Sequence, residues 1–65
     1  MNKEQKHYKF INSETDNVIF FLSFPENEPN QEIILEDTRK QLAYEKGLYI
    51  GSIYFMPFND SDFDE

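Results

Sequence analysis

The groups capable of acid–base or nucleophilic chemistry are few in this sequence, and their spacing assembles no catalytic set. His7 is the sole histidine, cysteine is absent, and no serine has a base beside it in the chain. Nucleophilic catalysis needs a hydroxyl or thiol with an adjacent base to take its proton. His7 is therefore read as a solvated residue at the start of a strand. Phosphate-binding loops need several glycines so that backbone N–H groups can approach the ligand, and only Gly47 and Gly51 are present. The first reads as a helix stop; the second, within a strand, reads as a bulge or a close backbone approach that can seat an aromatic ring. No catalytic, cofactor-binding or metal-ligating residues are expected, and the protein is not expected to be an enzyme.

Carboxylate is what the chain has in quantity. Thirteen Asp and Glu stand against six Lys and Arg, giving a formal net charge of −7, and residues 12–37 contain no Lys or Arg at all. Such a balance repels phosphate backbones, whose binding depends on cations displacing condensed counterions, so no direct nucleic-acid binding is expected. Glu26, Glu28, Glu32, Glu36 and Asp37 form an acidic surface suited to a basic protein partner. Held on a rigid surface, the same carboxylates can mimic nucleic-acid charge, although solubility alone accounts for them.

Near the C-terminus, Asp60, Asp62 and Asp64 alternate as the carboxylates that open a calcium loop do. The sixth position, where that loop requires Gly, is Glu65, and no calcium site is expected. Asp60-Ser-Asp-Phe-Asp-Glu65 also resembles the acidic, Phe-containing C-terminal tips of bacterial single-stranded-DNA-binding proteins, but lacks their terminal Phe. The resemblance implies docking on a basic pocket of a partner. The default reading is a solvated tail.

These residues must be positioned by few elements. His7-Tyr-Lys-Phe-Ile-Asn12 reads as a short strand, and Ser13-Glu-Thr-Asp-Asn17 supplies the Asx-rich turn before a second strand starting at Val18. Pro25-Glu-Asn-Glu-Pro-Asn30 stops that strand. Asn30 is the expected N-cap of a helix over 31–46, with Pro29 as an alternative first helical residue, and Gly47 ends it. At ~100° per residue Ile34, Leu35, Thr38 and Leu42 share a core-facing stripe. Ile33 and Tyr44 lie on another side, exposed or touching a neighbouring chain. Leu48 to Phe58 is the third strand. The order predicts an α+β fold: a small ββαβ domain, one helix on a three-stranded mixed sheet, with strand two central and strand three parallel to it. The polar His7 and Lys9 put strand one at the edge. With strand one central, all pairing is antiparallel. Residues 1–6 are expected to be a flexible N-terminus, 7–58 the single domain, and 59–65 an acidic tail.

Val18-Ile-Phe-Phe-Leu-Ser-Phe24 and Leu48-Tyr-Ile-Gly-Ser-Ile-Tyr-Phe-Met56 are apolar on both alternating faces. Strands wet on one side alternate apolar and polar, whereas strands covered on both sides read as continuous apolar runs. One helix covers one face. The other, roughly 300 Å² in projection, approaches the size at which an exposed apolar patch marks an interaction site. Phe21, Tyr49, Ile53 and Phe55 are assigned to this association face, and a homodimer is its simplest cover; the terminal segments folding back are the alternative.

A chain of 65 residues is one domain of marginal stability, for which association is a common reinforcement. The first ten residues lack the apolar core of a signal peptide, and no run approaches the ~18 residues of a membrane span. Together with the absence of cysteine, this predicts a soluble cytoplasmic protein with no membrane partner. The expected function is that of a small acidic interaction or regulatory module. The alternative is a small-molecule-binding or enzymatic module with a pocket between subunits, lined by Tyr49, Tyr54 and Phe21.

Overall fold

A computed structural model describes residues 5–58. The chain runs β1 (Gln5–Asn12), β2 (Asn17–Pro25), α1 (Gln31–Lys46), a single 3₁₀ turn (Ile50–Ser52) and β3 (Ile53–Phe58). Residues 1–4 of the flexible N-terminus expected over 1–6, and the acidic tail expected over 59–65, lie outside the described residues; Gln5 and Lys6 are not a loose lead-in but the start of β1, paired with Pro25 and Phe24. The α+β class holds, with one helix against one three-stranded sheet.

The sheet order corrects the sequence reading. It is β2-β1-β3 and entirely antiparallel, so β1 rather than β2 is central and no mixed sheet forms. β2 and β3 still run parallel to each other across the helical connection, but β1 lies between them. His7 and Lys9 had pointed to an edge; both project from the side of the sheet away from the helix, where polar groups reach water. The other side of β1 carries Phe10, which is fully buried. A central strand with one open face tolerates alternation that a strand covered on both faces does not.

Local chemistry explains the turns. Asn12 accepts the Glu14 N–H on its Oδ1 at 2.9 Å and the Asp16 N–H on its carbonyl at 2.7 Å, an Asx arrangement that lets Asp16 take a left-handed φ of 64° before β2 begins. Asn30 occupies the expected cap position, its carbonyl accepting the Ile34 N–H at 3.0 Å, but its side chain makes no capping bond. The loop is secured instead by Gln31 Nε2 donating to the Glu26 carbonyl at 2.9 Å and by the Asn30 N–H donating to Glu28 Oε2 at 3.2 Å. At the far end Gly47 adopts φ 66°, and the N–H groups of Gly47 and Leu48 both reach the Ala43 carbonyl. This closes the helix with a left-handed cap that favours glycine.

Phe10, Phe24, Leu35, Leu42 and Ile53 form the buried core, with Tyr8, Ile19, Leu22, Ile34, Ala43, Leu48 and Phe55 packed around them. Phe10 organises its centre: its ring lies 5.5 Å from Phe55 and 6.1 Å from Phe20, matching its register opposite both residues. Burying one such ring contributes about 1.5–3 kcal/mol, a large share of what so small a domain retains. The helical stripe is as expected, with Leu35 and Leu42 buried and Ile34 and Thr38 half-buried, while Ile33 and Tyr44 are exposed.

Arg39 fixes where the helix sits. Its Nε donates to the Ile53 carbonyl at 2.7 Å, its Nη2 to the Ile50 carbonyl at 3.2 Å, and its Nη1 to Glu36 Oε1 at 3.0 Å. This anchors α1 to the β3 side. A helix is on the order of 10 Å across, whereas three strands span roughly 14 Å plus their side chains. One helix held over β1 and β3 leaves part of β2 uncovered.

Candidate association surface

The side of the sheet away from α1 is built from three cross-strand rows fixed by the register. These are Ser23–His7–Phe58, Phe21–Lys9–Met56 and Val18–Ile11–Tyr54, read from β2 across β1 to β3. Directly opposed residues in antiparallel strands point to the same face. Within this surface Val18 is 42% exposed, Phe21 55%, Tyr54 45% and Met56 41%, whereas Ile11 is buried between its neighbours.

Polar groups are few among these rows and are accommodated locally. His7 Nδ1 and Ser23 Oγ are hydrogen-bonded at 2.7 Å, and the imidazole lies 5.7 Å from the Phe58 ring. Phe21 and Phe58, from the two edge strands, meet edge to face at 5.6 Å. Lys9 places its ammonium 5.9 Å from the centre of the Phe58 ring, a cation–π geometry that lays its aliphatic stem along the sheet. No carboxylate occurs in the three rows. The acids of the described residues lie instead in the loops and along the helix.

Of the four residues assigned to an association face, the structure places only Phe21 here. Ile53 is 1% exposed in the helix-side core, and Phe55 is half-buried against the same core. Tyr49 precedes the 3₁₀ turn and is 75% exposed, its ring lying over Gly51 so closely that a Cβ there would stand 2.5 Å from Tyr49 Cε2. Gly51 therefore seats an aromatic ring, but in a 3₁₀ turn and not in a strand. The grouping failed because β1 sets the parity. Phe20 and Phe55 both oppose Phe10, so even-numbered residues of β2 share a face with odd-numbered residues of β3. Val18, Tyr54 and Met56 are the members that sequence reasoning missed. Phe21 and Tyr54 are on opposite edge strands, so the aromatic trio of the ligand-pocket alternative does not form a single cluster.

A bulge refines the picture further. Phe10 pairs with Phe20 but Ile11 with Val18, leaving Ile19 with no residue opposite. Such an insertion re-aims a side chain, and here it turns Ile19 into the helix-side core. Val18 is the residue left on the open side.

The acidic residues form a separate region. Glu28 and Glu32 border a shallow depression with Pro29, Asn30 and Ile33, and Glu32, Glu36 and Asp37 border the next one with Ile33 and Lys40. Glu36 is engaged by Arg39, and Glu26 lies in the loop between β2 and α1. The five acids thus follow the loop and the first two helical turns, away from the apolar sheet face. Among the described residues no helix is long and apolar enough to cross a membrane.

No protein-family model matches this chain, and neither a curated protein nor a solved structure matches it.

Proposed function

We propose that this protein is a small non-catalytic interaction module that forms a homodimer through the sheet face carrying Val18, Phe21, Tyr54 and Met56. The observation that carries this reading is the exposure of four large apolar side chains on one side of a sheet whose other side is covered by the only helix among the described residues. Exposed apolar side chains gathered in a patch of this kind favour association, whereas scattered ones do not. A two-fold axis normal to the face makes the patch its own complement. The acids of the loop and helix remain outside such an interface, where they keep the assembly soluble and present a second, charge-guided surface to a basic partner.

Dilution followed by nuclear magnetic resonance tests the reading. The amide signals of Val18, Tyr54 and Met56 and the methyl signals of Val18 and Met56 should shift with protein concentration, while the amide signals of Ile33 and Tyr44 on the helix stay fixed. Concentration-independent signals across β2 and β3 would count against it.

A further inference from the structure

β2 is exposed on more than one side. On the helix side Phe20 is 41% exposed, and a groove of about 210 Å³ runs between β2 and α1, lined by Phe20, Leu22, Thr38, Gln41, Leu42 and Glu45. The Arg39 clasp explains it, since α1 is held toward β3. A partner stacked on the open sheet face does not reach this groove, because the sheet itself intervenes. Only something lying alongside β2 fills it.

Among the described residues β2 is also a terminal strand of the sheet. Natural edge strands are blunted by charged residues, by proline or by covering elements. From Asn17 to Phe24 β2 contains no charged residue and no proline, whereas the other edge, β3, carries Pro57 within its six residues. Pairing-competent backbone therefore borders an apolar groove. That combination suits addition of an extended segment, whose main chain continues the ladder while alternate side chains enter the groove.

Charge selects the occupant. Glu14 and Asp16 precede β2, Glu26 and Glu28 follow it, and Glu45 stands on the groove wall, its Oε2 accepting from Gln41 Nε2 at 3.1 Å. The cations in register with β2, Lys6 and Lys9, are opposite Phe24 and Phe21 on β1, one strand further in. A second copy pairing antiparallel along β2 would set Glu14 and Asp16 against the copy's Glu26 and Glu28, and like charges facing one another disfavour that pairing. We propose that the β2 edge takes an extended segment of a different protein as a fourth strand, with apolar residues at alternate positions over Phe20 and Leu22 and with Lys or Arg at both ends. This site is separate from the open sheet face and does not depend on dimerisation there.

A probe peptide, Lys-Lys-Val-Thr-Val-Thr-Val-Lys-Lys, titrated into the full-length protein with resonances followed residue by residue, tests the proposal. Saturable shifts are expected along residues 17–25 and at Thr38, Gln41, Leu42 and Glu45. Its counterpart with Glu at the four Lys positions should bind at least roughly tenfold more weakly, and affinity for the Lys peptide should fall with added salt. Phe20→Ser and Glu45→Lys should each weaken binding by roughly tenfold; Glu45 is exposed, so its variant retains the fold even if Phe20→Ser loosens it. Absence of saturable binding, equal affinity for both peptides, indifference to Glu45→Lys, or shifts confined to the open sheet face would each overturn the proposal. So would shifts at Thr38, Gln41, Leu42 and Glu45 that grow with protein concentration in the absence of peptide, which would assign the groove and its edge to a second copy.

Discussion

The guanidinium of Arg39 and the carbonyl of Ile53, 2.7 Å apart, join the middle of the helix to the first residue of β3. The same side chain also holds the Ile50 carbonyl and Glu36. Charge-assisted hydrogen bonds contribute about 1.5–3 kcal/mol each, and an abandoned buried acceptor costs about 1–3 kcal/mol. Arg39→Ala should therefore lower stability by about 2 kcal/mol or more in urea denaturation, while Arg39→Lys, a point donor without the planar fork, should recover less than half of that loss. Full recovery by Lys would show that charge alone, and not the clasp geometry, holds the helix.

Adjacent residues of β3 should respond in opposite ways. Ile53→Asp puts a carboxylate into a site that is 1% exposed and should leave the chain unfolded by circular dichroism, because an uncompensated buried charge outweighs the few kcal/mol available to a domain of this size. Tyr54→Asp changes the open face and should leave a folded protein that no longer associates. Similar behaviour of the two variants would contradict the face assignment.

Lys9 is the cation within the apolar rows, beside Phe21 and Met56. Withdrawing an ammonium from water at an interface without a carboxylate partner is unfavourable. Lys9→Met should accordingly tighten self-association, by roughly tenfold for each 1.4 kcal/mol relieved, as read from the dissociation constant in sedimentation velocity. Weaker association of this variant would mean that Lys9 makes a favourable contact across the interface.

The two glycines should separate by conformation and not by space. Gly47 has open room around its α-carbon but a φ of 66°, so Gly47→Ala should destabilise by about 1 kcal/mol. The atoms nearest to a Cβ at Gly51 belong to the exposed Tyr49 ring, which can swing outward. Gly51→Ala should consequently cost under about 0.5 kcal/mol, within the range of ordinary surface substitutions. Thermal denaturation of the two variants side by side checks the order.

Much of the architecture was legible where a local rule decides it. The Asx-rich run after Asn12 marked the hairpin turn, the spacing of Leu35 and Leu42 marked the buried helical stripe, and Gly47 marked the helix end. Strand order was not legible, because His7 and Lys9 report only that one face of β1 is wet and not whether its edges are paired. The membership of the candidate association surface followed from that order. Alternation along β2 and β3 separately gives two faces for each strand, but which faces coincide depends on both opposing Phe10 across β1, and on the Ile19 bulge, which shifts the register by one residue. Arg39 left no sequence signal because two of its three partners are backbone carbonyls. The acidic positions were legible as charge, and so was their concentration in the loop and helix start, outside the two-faced strands.

Sedimentation equilibrium of the full-length protein in near-physiological salt tests the central claim most directly. A particle of twice the 7.8 kDa chain mass, reverting to a folded single chain in Tyr54→Asp, is the result predicted for dimerisation through the open sheet face. A folded wild-type particle of one chain mass at all accessible concentrations would contradict it.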